Sequence, residues 1–177
     1  LLSHKDHLRR LRDAGISGIN QFMIMIYGEA TVAQMDKIGI GWKREVEFVE
    51  AAVAEDMFAL AYAFIPDEAR QMAEAGAHAI ATHFGSTIGG VRGASSSITL
   101  QEATEKSQEM FEAALAVNPD VILFAHGGPI EGPMEAAHVI RNTAAHGFIG
   151  GSAAERVPIE KAIVAVTNEY KSMLDDN

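Results

Sequence analysis

What most constrains this chain is an alternation: short apolar runs closed by small or polar residues take turns with longer segments of helical periodicity. The run 57–64 alternates large and small side chains and is continuously apolar, the pattern of a strand covered on both faces. Pro66-Asp67 then opens a helix with Ala69, Met72 and Ala73 inward and Gly76 as its stop. The spacing predicts further strands at 16–22, 78–83, 121–125 and 148–149, the run 22–27 reading equally as strand or as a buried loop. Helices are expected from Ser3, an N-cap with Asp6 three residues on, and after Gly39–Gly41, with Trp42, Val46, Val49 and Val53 on one face. Thr99 and Glu102 form a capping box for a helix to about Val117. Gly132-Pro133 and Pro158 start two more, the last carried by Ile159, Ile163, Val166 and Tyr170 to near Met173. About five strands are thus each followed by a helix, and right-handed helical crossovers make the strands parallel.

The 177 residues suffice for one domain with a sizeable core, and 48% hydrophobic with 21% charged residues is a globular composition. A net charge of −10 leaves no basic face for nucleic acid or an anionic membrane; Arg9, Arg10 and Arg12 read as the solvated side of a helix. There is no cysteine, hence no disulfide or thiol chemistry. No apolar run approaches the roughly 20 residues of a membrane span and no secretory segment is visible, so a cytoplasmic location is expected. The start at Leu1-Leu2, without methionine and directly before a helix, reads as missing residues or a processed product.

Two α/β architectures compete. An open flavodoxin-like sheet fits the length, whereas a complete (β/α)8 barrel needs roughly 250 residues. However, Gly127-Gly128 and Gly150-Gly151-Ser152 follow the last two strands, whereas open dinucleotide folds place their phosphate loops after the first. A parallel (β/α)8 TIM barrel, represented by about its last five β/α units, is therefore the preferred reading. Residues 1–177 would be the C-terminal portion of a single barrel domain whose first three strands are absent.

Such barrels gather their chemistry on the rim where the strands end. Amides of Gly127, Gly128 and Gly151 with the Ser152 hydroxyl could hold a phosphate or carboxylate there, although the same glycines could serve only as tight turns. His83 and His126 stand at two strand ends and could exchange protons near neutral pH, or be structural. His78, His138 and His146 read as surface residues. Arg156 could close over the anion, or pair with Glu155 or another carboxylate as a rim ion pair. Arg92, in the glycine- and serine-rich loop 84–97, could cover a ligand or simply be solvated, and Tyr62 could offer its phenol to the cavity or pack there. No set of side chains has the spacing of a dedicated metal site.

Several ordered segments carry a family resemblance: Gly39-Ile40-Gly41-Trp42-Lys43-Arg44-Glu45-Val46-Glu47, Met72-Ala73-Glu74-Ala75-Gly76-Ala77, His83-Phe84-Gly85, Asn118-Pro119-Asp120, His126-Gly127-Gly128-Pro129, Phe148-Ile149-Gly150-Gly151-Ser152 and Glu155-Arg156. Together they resemble the phosphoenolpyruvate hydrolase-like family, TIM-barrel proteins sometimes labelled signal-transduction proteins, which includes the C-terminal domain of the tomato mosaic virus resistance protein. One segment departs from the family. Where it usually has a Gln-Asn-Phe-Pro-Thr-like stretch, this chain reads Asn20-Gln21-Phe22-Met23-Ile24. The resemblance implies a lyase or hydrolase acting on a small phosphorylated or enolpyruvate-like carboxylate, with His126 or His83 moving a proton. Mg²⁺ is possible through carboxylates outside this chain. The alternative is a non-catalytic small-anion-binding regulatory or protein-interaction module. A small anionic metabolite is the expected partner, and a homo-oligomer or a companion segment is expected to complete the barrel.

Overall fold

The computed structural model describes residues 3–21, 24–95 and 98–173. Its strands are β1 (Gly18–Asn20), β2 (Phe58–Ala63), β3 (Ala79–Thr82), β4 (Ile122–Ala125) and β5 (Gly147–Phe148). Helix α1 (His4–Asp13) precedes β1, and a 3₁₀ turn (Ile24–Tyr27), α2 (Glu29–Lys37) and α3 (Trp42–Ala54) lie between β1 and β2. Then follow α4 (Pro66–Glu74), α5 (Leu100–Leu115), α6 (Pro133–Asn142), α7 (Ser152–Glu155) and α8 (Val157–Ser172). Of the expected strand end and serine loop, Phe22, Met23, Ser96 and Ser97 lie outside the described residues.

All four strand pairs are parallel and the sheet order is β1-β2-β3-β4-β5. An open doubly wound sheet reverses its order at a switch point and carries helices on both faces. Here the order never reverses, and α1, α3, α4, α5 and α6 touch one another in chain succession, forming one layer. This is the winding of part of a (β/α)8 barrel, and it displaces the flavodoxin-like alternative.

The helix-facing side is the core, built from Ala59, Ala61, Ala63, Ile80 and Leu123 against Val49, Met72, Met110 and Phe111. Small residues on β2 let the helices sit close to the sheet, and Phe111, fully buried, fills the space under α5. The other side is open: Phe58 is 45% and Ile122 39% exposed, where the closed interior of a barrel would bury them.

Local chemistry agrees with the ends of most elements. Ser3 accepts the Asp6 amide, and Thr99 and Glu102 make both bonds of the capping box. Two elements depart from expectation. Helix α2 has only Val32 buried, so its pattern carried little helical signal. Helix α8 forms, but its apolar stripe does not face a core: Ile159, Ile163, Val166 and Tyr170 are 50–69% exposed. No helix among the described residues is long and apolar enough to cross a membrane.

Candidate functional site

The ends of β2, β3 and β4 bring Tyr62, His83 and His126 together. In register, Tyr62 lies beside Ala81 and Ala81 beside Phe124, so residues two steps further along β3 and β4 emerge on the same face, above the rim. The His83 and His126 ring centroids are 4.8 Å apart, and Tyr62 lies 5.3 Å and 5.0 Å from them. Phe64 stacks on His83 at 4.6 Å. The rings border a cavity of about 320 Å³ whose other walls are Gly85, Ser86 and Thr87 after β3, Gly151, Ser152 and Glu155 after β5, and Ile26.

The hydrogen bonds place the protons on the two imidazoles. The Gly85 amide donates to His83 Nδ1 at 2.9 Å, so the neutral ring carries its proton on Nε2. His126 Nδ1 lies 2.8 Å from the Ile149 carbonyl, which can only accept, so this ring carries its proton on Nδ1 and leaves Nε2 as a free base. The pair therefore offers one N–H donor and one nitrogen acceptor. Burial pushes the His83 pKa down to about 3, with neighbouring His126 adding to the shift. Burial also lowers His126, opposed by its bond to the Ile149 carbonyl. Both rings are neutral at pH 7.

Stability follows from these shifts. In the unfolded chain each imidazole titrates near 6.5, so below that pH the unfolded state binds protons that the native state refuses. This contribution is fully present above about pH 6.5 and is lost as pH falls through the lowered native values, for His83 toward about 3, at up to about 1.4 kcal/mol per pH unit for a ring held neutral. Urea titrations between pH 7.5 and 5 should show a steeper decline for the wild type than for the double variant H83Q/H126Q. Equal slopes would mean that the rings are not held neutral.

The remaining residues singled out from sequence fall into three groups. Gly151 and Ser152 line the cavity, and no acceptor takes their amides among the described residues. Glu155 also lines it. Gly127 and Gly128 are buried behind the wall, and the Gly128 amide is spent on the Gly85 carbonyl at 3.0 Å. A Cβ on Gly127 would come within 2.7 Å of that same carbonyl, so these glycines permit two loops to touch. Arg92 is exposed, and Arg156, which is not among the cavity-lining residues, donates to Glu160 and to the carbonyls of Thr87 and Gly89.

Buried Gln21 donates to the Tyr62 carbonyl at 3.2 Å, and its Oε1 has no partner among the described residues. Sequence reading passed over its individual role because a single amide at a strand end has no periodic signature. His78 and His146, exposed as expected, accept the amides of Ala59 and Leu123 and cap the opposite strand ends. For the Mg²⁺ that the resemblance implies, the cavity provides one carboxylate and two imidazoles already bonded through Nδ1. Among the described residues no three such groups converge, so these side chains do not fit a metal by themselves.

Comparisons with known proteins agree with the segments described above. The model of the family described as "Phosphoenolpyruvate hydrolase-like" matches residues 1–173. The ToMV resistance protein Tm-1(GCR237) and the ToMV susceptible protein tm-1(GCR26), both of Solanum lycopersicum, are each 40% identical over 168 residues, 94% of this chain. The chain spans 22% of the length of each. Among solved structures, 2,3-dimethylmalate lyase, a PEP mutase/isocitrate lyase superfamily member, overlays with a TM-score of 0.46 at 15% identity. That overlay covers 100% of this chain and 81% of the other.

Proposed function

Because the chain belongs to the phosphoenolpyruvate hydrolase-like family, we propose that its rim cavity moves a proton on a small carboxylate or phosphorylated compound, as a lyase or hydrolase of an enolpyruvate-like substrate. The observation that carries this reading is the opposite protonation of the two facing imidazoles. His126 Nε2 is the base that takes or returns a proton. His83 Nε2–H donates to the oxygen on which charge develops; a neutral imidazole can do this without giving up its proton. The amides of Gly151 and Ser152, with the Ser152 hydroxyl, hold the anionic group, and Tyr62 packs its ring against both imidazoles. Glu155 is the carboxylate on the wall, available to a second proton transfer.

Long-range ¹H–¹⁵N spectra of the histidine rings, recorded while phosphoenolpyruvate is added at pH 7, test this. The expected result is Nε2–H on His83 and Nδ1–H on His126, both shifting as ligand binds, and a pKa for at least one ring that depends on ligand. Unmoved signals at saturation would remove the rim from the reaction.

A non-catalytic protein-interaction module is the second reading, favoured by the exposed apolar stripe on α8. The open edges of β1 and β5 and the exposed Phe58 and Ile122 support a different use of that surface, completion of a barrel by three strands outside residues 1–177. Light scattering on residues 1–177 alone should then show self-association. A monodisperse, cooperatively unfolding monomer would overturn the completion.

A further inference from the structure

The loop 84–95 supplies three cavity residues, and within it the Ala94 amide reaches the Thr87 carbonyl only at a long 3.4 Å. Its root is tied to the β4 loop through Ile88 N–H to Gly128 O at 3.0 Å and Gly128 N–H to Gly85 O. Its far end is tied from α8. Glu160 Oε2 accepts the amides of Val91 at 2.6 Å and Arg92 at 3.3 Å. Arg156 donates to the Thr87 carbonyl at 3.0 Å, the Gly89 carbonyl at 2.9 Å and Glu160 Oε2 at 3.0 Å. Gly89 and Gly90 have φ of +78° and +71°, and a Cβ on Gly90 would strike both Glu160 and Arg156. The fit is therefore made on both sides. Burial opposes ionisation of Glu160, but the two amides and the guanidinium outweigh it and hold its carboxyl below the ordinary range.

We propose that Arg156 and Glu160 are positioning residues: they clamp the loop 84–95 against the connection after β5, closing the cavity wall at Thr87 and seating the Gly85 amide on His83 Nδ1. This deepens the proposed chemistry, since the proton location on His83 depends on that amide. A guanidinium and a carboxylate one helical turn apart would interact anyway. What distinguishes a clamp is that five hydrogen bonds converge there, four of them to loop backbone more than 60 residues away.

Amide hydrogen exchange on the ligand-free chain tests it for wild type, R156A, E160A and the charge swap R156E/E160R. Exchange at Val91, Arg92 and Gly85 should rise about tenfold or more in both alanine variants, while β2, β3 and β4 stay protected. The swap should not rescue the loop. A guanidinium at 160 cannot accept the amides, and a carboxylate at 156 cannot donate to carbonyls. Ring spectra should show His83 Nδ1 losing its bonded signature in E160A, with His126 unchanged. Unaltered loop exchange, protection restored by the swap, or an unmoved His83 in an opened loop would each overturn the clamp. None of these readings depends on whether phosphoenolpyruvate binds.

Discussion

On the proposed chemistry, replacing His126 by glutamine is expected to lower any turnover of phosphoenolpyruvate by about 10²–10⁴-fold, the range lost when a positioned base is removed. Glutamine can still donate to the Ile149 carbonyl and roughly fill the ring's place, so the fold should survive. What it cannot supply is a basic nitrogen on the cavity side. His83→Gln should cost about 10²-fold, because an uncharged donor to the developing oxyanion is lost while the base remains. Since burial lowers both ring pKa values, kcat/KM in the wild type should stay level from pH 8 to below 6.5, where an ordinary histidine would already have lost its basic form. Steady-state kinetics with urea unfolding as a folding control measures all three effects. An H126Q enzyme of undiminished turnover would eliminate His126 as the base.

Replacing Gly128 by alanine should destabilise the protein by about 2–4 kcal/mol. Its φ of +57° is a left-handed conformation that alanine adopts at a cost, and its Cβ would stand 2.6 Å from Phe84 Cβ and 2.9 Å from Phe84 O. Backbone must move to relieve the second contact, and the segment that moves carries Gly85, the partner of His83. Denaturant unfolding gives the loss of stability, and ring spectra should show His83 Nδ1 without its bonded amide. Stability left unchanged by the alanine would overturn this packing account.

Much of the architecture was legible because it rests on local rules. Thr99 with Glu102, Pro66 and Pro133 mark helix starts through backbone donors that any helix must satisfy, and the alternation of apolar runs with helical faces dictates parallel strands. His83 and His126 could be placed on one rim because a residue just past a parallel strand emerges there. The functional consequences were not local. Gly127-Gly128 looks like a phosphate loop, and the fold packs it against Phe84 and Gly85, with the Gly128 amide on the Gly85 carbonyl, a contact made by a neighbouring strand's loop. Arg156 looks like an anion ligand beside Glu155, but its acceptor on Thr87 lies 69 residues back in the chain. The stripe Ile159, Ile163, Val166 and Tyr170 has the periodicity of a buried face, and periodicity measures only which residues share a face. Whether a face meets a core depends on what is packed against it, and here nothing among the described residues covers it. By itself, then, the sequence determined the repeating β/α units, their boundaries to within a residue or two for most elements, and the rim on which the histidines stand. These follow from backbone hydrogen bonding and side-chain period within a few residues. Only the tertiary structure decided which ring nitrogen bears the proton, which amides remain free and what holds the loop 84–95, because each depends on a partner brought near by the fold from a distant part of the chain.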